Sequence, residues 1–145
     1  MRRFFDTSVL IAASYTQHVH HVPSAAVVAT ASKQDACALR TLAEIYSVTT
    51  GLRAHPRTTA KQAISIIERF RKALTIVSLS DDEFLTVIAR TAAGGIIGGA
   101  IYDALIAECA VKAQADILVT WNVRDFIRFP KVAAIVKTPS ELLSL

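Results

Sequence analysis

Met1-Arg2-Arg3-Phe4-Phe5-Asp6-Thr7-Ser8-Val9-Leu10 opens the chain with a short apolar run, an aspartate, two hydroxyl residues and a second apolar run. In a parallel α/β sheet this pattern reads as a first strand ending at Asp6 with a helix starting directly after it. Open α/β sheets bind their ligands outside the carboxyl ends of the strands. Asp6 therefore stands at the lip where such a site forms. Asp, Thr and Ser are also good helix N-caps, so the stretch alone leaves a structural role for Asp6 open. The decision rests on whether other acids fall in corresponding places.

Working outward, Asp35-Ala36-Cys37-Ala38-Leu39 reads as a second strand. Thr41-Leu42-Ala43-Glu44 then opens a helix, with Thr41 and Glu44 at capping-box spacing. Ala60, Ala63, Ile64, Ile67 and Phe70 form the stripe of a further helix, widened by Ile66. Leu74 to Leu79 reads as a short strand. Ser80-Asp81-Asp82-Glu83 is a second capping box, which accounts for its acids. The glycines of Gly94 to Gly99 lack the Lys-Ser/Thr of a P-loop and read as a helix–helix connection.

The helix from Ala100 to Ala113 carries the sharpest signal. Glu108 and Lys112 stand at i,i+4 and mark a solvent face. Asp103 lies about 140° from Glu108 and about 180° from Lys112, so it is expected to point inward. An unpaired carboxylate there is costly and calls for a partner, a proton or a metal. Ala115 to Thr120 is a continuous apolar strand of the kind found inside a parallel sheet. Asn122 and Asp125 follow it, with cap and N3 spacing as their structural alternative. Ala133 to Val136 reads as an edge strand and Thr138 to Glu141 as a terminal turn.

A length of 145 residues suits one domain, and 52% hydrophobic with 19% charged residues excludes a disordered chain. The least charged stretch, Ala92 to Tyr102, is too short to span a bilayer. The opening apolar run is too short for a signal peptide, and Cys37 and Cys109 read as buried thiols, so a cytoplasmic, reducing setting is expected. A net charge of +4 mildly favours a polyanionic partner. His18, His20 and His21 precede a helix expected to start at Pro23-Ser24. No acid or cysteine lies at ligand spacing to them, and they read as a solvated loop.

Alternating strands and helices argue for a single α/β domain over residues 1–145, with a mainly parallel central sheet and helices on both faces. Asp6, Glu44, Asp103 and the Asn122/Asp125 pair can then converge at one sheet edge. Crowded carboxylates persist where a hard divalent cation neutralises them. On Phe5-Asp6-Thr7-Ser8-Val9-Leu10, Leu42-Ala43-Glu44, Tyr102-Asp103-Ala104-Leu105-Ile106-Ala107 and Thr120-Trp121-Asn122-Val123-Arg124-Asp125-Phe126, in that order, the chain resembles PIN-domain ribonucleases, most of all the VapC toxins of toxin–antitoxin pairs. The resemblance implies Asp6, Glu44 and Asp103 as catalytic, metal-holding acids, with Asn122 or Asp125 completing the set. Thr7, Ser8 and Thr120 are the supporting polar groups; the family commonly has Asn where Ser8 stands. It further implies Mg²⁺ or Mn²⁺ as cofactor, RNA as substrate, a small antitoxin as partner and a homodimer away from any membrane. Arg53, Arg57 and Arg124 are candidate RNA-backbone ligands. A haloacid dehalogenase-type phosphatase needs a second Asp where Ser8 stands. A non-catalytic PIN-like module that binds RNA or protein has no reason to retain all three acids.

Overall fold

The computed structural model describes residues 1–51 and 53–145. Among these, the strands β1 (Arg3–Phe5), β2 (Ala36–Ala38), β3 (Thr75–Val77), β4 (Ile117–Val119) and β5 (Val136–Lys137) form one sheet, ordered β3-β2-β1-β4-β5. Every pairing is parallel. The helices are α1 (Thr7–Ser14), α2 (His21–Val28), α3 (Leu39–Thr50), α4 (Ala60–Ala73), α5 (Asp81–Ala93), α6 (Ala100–Lys112), α7 (Val123–Phe126) and α8 (Pro139–Leu143).

Two consecutive phenylalanines show how the layers arise. Successive side chains of a strand point to opposite faces. Phe4 packs with Ile106, Ala110 and Leu118 beneath α6, whereas Phe5 packs with Val9, Ile45 and Phe70 of α1, α3 and α4. Both rings are fully buried, so the central strand is covered by helices on both faces. Burying each ring contributes roughly 1.5–3 kcal/mol.

The amino-end edge of the sheet is closed by an ion pair and a backbone-to-carboxylate bond. Asp35, at 2% exposure, accepts from the Arg3 backbone N–H at 2.9 Å, from the Arg3 guanidinium at 2.7 Å and from Ser32 N–H at 3.1 Å. These partners outweigh the cost of burial and hold its carboxyl below the usual range. Beside it, Arg2 N–H donates to Asp116 at 2.7 Å.

Several sequence expectations are corrected. Helix α2 begins at His21 rather than at Pro23, which occupies the first turn where no backbone N–H is required. Residues Ala133–Ile135 form a 3₁₀ turn, because β4 offers β5 partners only at Leu118 and Val119. On α4, Ile64 is exposed while Ile66 and Ile67 pack against the core, so the apolar face is spent inside the domain. Ser80 and Glu83 form the expected capping box, and Thr59–Gln62 and Thr138–Glu141 form two that were not expected. No helix among the described residues is long and apolar enough to cross a membrane.

Candidate active site

At the carboxyl edge of the sheet, Asp6 follows β1 directly and its N–H continues the ladder to Val119 O at 3.0 Å. It caps α1 and stands at this edge as a candidate site residue. Its Oδ2 accepts from Ser8 Oγ at 2.8 Å and Thr120 Oγ1 at 2.8 Å, and more weakly from Ser8 N–H at 3.4 Å. All three bonds fall on one oxygen, which leaves Oδ1 free of side-chain donors among the described residues. Burial pushes the Asp6 carboxyl up, against the pull of the Ser8 and Thr120 hydroxyls.

Those hydroxyls also tie two loops together. Ser8 Oγ accepts from Trp121 N–H at 3.1 Å, and Thr120 Oγ1 accepts from Asn122 N–H at 2.9 Å. The Trp121 indole N–H reaches buried Ser24 at 2.8 Å, and its ring stacks on His20 with centroids 3.8 Å apart and planes 11° apart. His18 Nδ1 accepts from His20 N–H and His21 Nδ1 donates to Ala12 O, so the histidine segment is packed rather than merely solvated.

Glu44 occupies the second turn of α3, not the first. The helix starts at Leu39 without a side-chain cap on Ala38, and the Thr41–Glu44 box is not formed. Thr41 is instead buried and shares a 2.9 Å hydrogen bond with Thr7. Glu44 Oε1 is buried and lacks a directed hydrogen bond among the described residues, although Arg40 Nε lies 3.0 Å away as an ion pair. Burial raises its carboxyl, Arg40 opposes this, and the charge of Asp6 adds to it.

Asp103 lies in the first turn of α6 and is less enclosed than expected. Its side chain is 29% exposed, more than the 22% of Glu108, which Arg90 and Lys131 engage. The two acids stand on separate faces as their angular spacing predicts, but Glu108 is the drier of the two, because α5 and the segment after α7 cover it. Burial, then the nearby charges of Asp125 and Asp6, push Asp103 up to about 6, with Arg128 pulling the other way. Asp125 is therefore the acid that the fold sets beside Asp103. Asn122 is exposed and makes no side-chain cap on α7.

The structure thus brings Asp6, Glu44, Asp103 and Asp125 within electrostatic reach, with Thr7, Ser8 and Thr120 beneath them. It does not bring Arg53 or Arg57 to them. Both lie beyond the far end of α3, and Arg57 lines a separate groove with Tyr15 and Arg69. Arg124 is exposed on α7. Two arginines escaped sequence reasoning: Arg40 pairs with Glu44, and Arg128 reaches Asp103 at 3.3 Å. The i,i+4 spacing of Arg40 and Glu44 could have revealed the first; nothing in the sequence announces the second.

Among the described residues, no three His, Cys, Asp or Glu side chains already stand as a closed ligand set. The donors nevertheless suit a hard cation: they are carboxylates, they raise one another's proton affinity, and Glu44 Oε1 and Asp6 Oδ1 retain acceptor capacity.

The model of the PIN domain family matches residues 2–124. The chain belongs to the PIN-domain family. Over 114 residues this PIN domain is 37% identical to Ribonuclease VapC27 of Mycobacterium tuberculosis, spanning 77% of the chain and 79% of that protein. Its fold is similar to that of VapBC-1 from nontypeable Haemophilus influenzae, with TM-score 0.66, 19% identity, and coverage of 97% of this chain and 99% of that one. It is also similar to VapBC2 from Rickettsia felis bound to a DNA fragment from its promoter, with TM-score 0.63 and 22% identity over 95% and 98% of the two chains.

Proposed function

We propose that this PIN domain, residues 1–145, is a divalent-metal-dependent endoribonuclease and the toxin of a toxin–antitoxin pair. The observation that carries the reading is the meeting of acids from four separate elements at one sheet edge, where Asp103 is pushed up to about 6 by burial and by its neighbours' charge. A fold retains such repulsion where function uses it. The kinship to a ribonuclease supports RNA as the substrate.

Asp6, Glu44, Asp103 and Asp125 would hold Mg²⁺ or Mn²⁺, with Asp125 rather than exposed Asn122 as the fourth group. Such a cation, when bound, lowers the pKa of water and shields phosphodiester charge. The chain's own part is to fix the donors. Ser8 and Thr120 hold Asp6 through one oxygen and leave the other available. Thr7 and Thr41 lock α1 to α3, setting the distance between Asp6 and Glu44. Arg53, Arg57 and Arg124 belong at most to an outer RNA track. A small antitoxin, a homodimer and a cytoplasmic setting belong to the same reading.

The test is cleavage of a mixed-sequence RNA by purified protein with Mn²⁺, Mg²⁺ or chelator. We expect cleavage with either metal and none with chelator, and none from Asp103→Asn at an unchanged circular dichroism spectrum. Cleavage that persists in chelator, or in Asp103→Asn at the wild-type rate, overturns the reading.

A further inference from the structure

Each of the two half-exposed acids of the site carries an arginine, and each arginine also lies over an aromatic ring. Arg40 pairs with Glu44 while its guanidinium sits 3.9 Å from the centroid of Tyr102, the residue before Asp103. Arg128 pairs with Asp103 at 3.3 Å, donates from Nε to Asp125 O at 3.0 Å, and lies 5.3 Å from the Phe129 ring. The two stand on opposite flanks of α6, Arg40 lining the groove with Leu105 and Ile106, Arg128 the groove with Ala104 and Glu108.

These pairs are built to exchange. Their arginines are 44% and 39% exposed; Asp103 is open to water as well, whereas the Glu44 oxygen facing Arg40 is buried but makes no directed hydrogen bond among the described residues, so neither pair is tightly held. The stacking contacts do not involve the carboxylates, so each guanidinium keeps an anchor when its acid is taken. A planar guanidinium is also the side chain best matched to a phosphate. A cation and an arginine cannot share the same carboxylate oxygens at full strength.

We propose that Arg40 and Arg128 are RNA-phosphate ligands held in reserve on Glu44 and Asp103, and that a divalent cation releases them by taking those carboxylates. Metal loading and substrate binding are then coupled: the cation that completes the site also turns two guanidiniums toward the phosphates on either side of α6. The inference rests on the nuclease reading and adds an ordered assembly to it.

The experiment compares wild type with Arg40→Gln, Arg128→Gln and, as a control for lost charge, Lys61→Gln on exposed α4. Mn²⁺ affinity is measured by calorimetry without RNA. Binding of a fluorescein-labelled uridine oligonucleotide is measured by anisotropy across a salt series, in Ca²⁺ and in chelator. Each arginine variant is expected to bind Mn²⁺ more tightly, by up to about fivefold, because a competing counter-ion is gone. Each should also lower the slope of log Kd against log salt by about 0.7 in Ca²⁺, and leave it unchanged in chelator. Lys61→Gln should not tighten Mn²⁺. Should a Gln variant unfold, the Lys replacement at that position is measured, and it should retain the Ca²⁺-dependent slope. Unchanged Mn²⁺ affinity in both arginine variants, or a slope lowered equally with and without cation, overturns the proposal. A wild type that binds no Mn²⁺ removes the metal site itself and, with it, the nuclease reading.

Discussion

Asp103 and Asp35 are both half of an arginine–carboxylate pair, and burial pushes both carboxyls up, yet their neighbours take them in opposite directions. Asp35 is wrapped by donors and held low, while Asp103 faces other acids and is pushed up to about 6. The folded state binds the Asp103 proton more tightly than the unfolded chain does. Asp103 therefore costs the metal-free fold nothing below about pH 4; its destabilising effect grows between about pH 4 and about 6 and is fully present above that. Asp103→Asn should raise the melting temperature of metal-free protein at pH 7.5 and abolish any rise with Mn²⁺; a lower melting temperature would mean that its pair with Arg128 outweighs the repulsion. Asp35 has the reverse sign: its stabilisation is present above its unfolded pKa and is lost as pH falls through its lower folded value. Asp35→Ala leaves Arg3 half-buried without its partner and should destabilise by about 3–5 kcal/mol, measured by urea denaturation. A loss below about 1 kcal/mol would show that water replaces the carboxylate.

At the scale of elements, the hydroxyl pair Thr7–Thr41 is the joint between α1 and α3. Thr41→Val keeps the shape but takes from the buried Thr7 hydroxyl its Thr41 partner, a cost of about 1–3 kcal/mol. In a double-mutant cycle, Thr7→Val should recover much of that loss; strictly additive losses would place the two hydroxyls outside direct contact. This joint was hidden in the sequence because Thr41 and Glu44 have capping-box spacing, and local spacing cannot tell a helix start from its second turn. The start was set instead by β2, whose pairing with β3 ends at Ala38 and commits Leu39 to the helix. Elements with strong local patterns were legible: Asp6 after two buried phenylalanines, Ser80–Glu83 as a cap, and the apolar Ile117–Val119 as an inner strand. What stayed illegible was partnership across the chain, such as Arg128 with Asp103 or His20 with Trp121, since no periodicity encodes it.

Across the molecule, the two edges of the sheet divide the work. At the amino-end edge Asp35 is neutralised by Arg3 and Asp116 is held by the Arg2 backbone N–H, and the carboxyl-end edge is left acid-rich. Divalent metal should stabilise the whole fold by RT ln(1 + [L]/Kd), about 2.7 kcal/mol at about 100 times Kd. The stabilisation should weaken as pH falls below about 6, where Asp103 holds its proton. A thermal scan with Mn²⁺ at pH 7.5 and pH 5.0 checks this; equal shifts at the two values would exclude Asp103 from the ligands.

The stack of His20 on Trp121 turns this architecture into an instrument. Trp121 is the single tryptophan of the chain, and its backbone N–H is bonded to the hydroxyl that steadies Asp6. A protonated imidazole stacked on an indole quenches its emission, so at acid pH the folded protein, with the rings 3.8 Å apart, should be dim and should brighten when the segment between α1 and α2 lifts away. At acid pH His20→Ala should raise emission without unfolding the chain, and unchanged intensity would show that the two rings do not stay together in solution. The intrinsic light of the protein thereby reads the state of its acid-rich edge from two hydrogen bonds away, with no label attached.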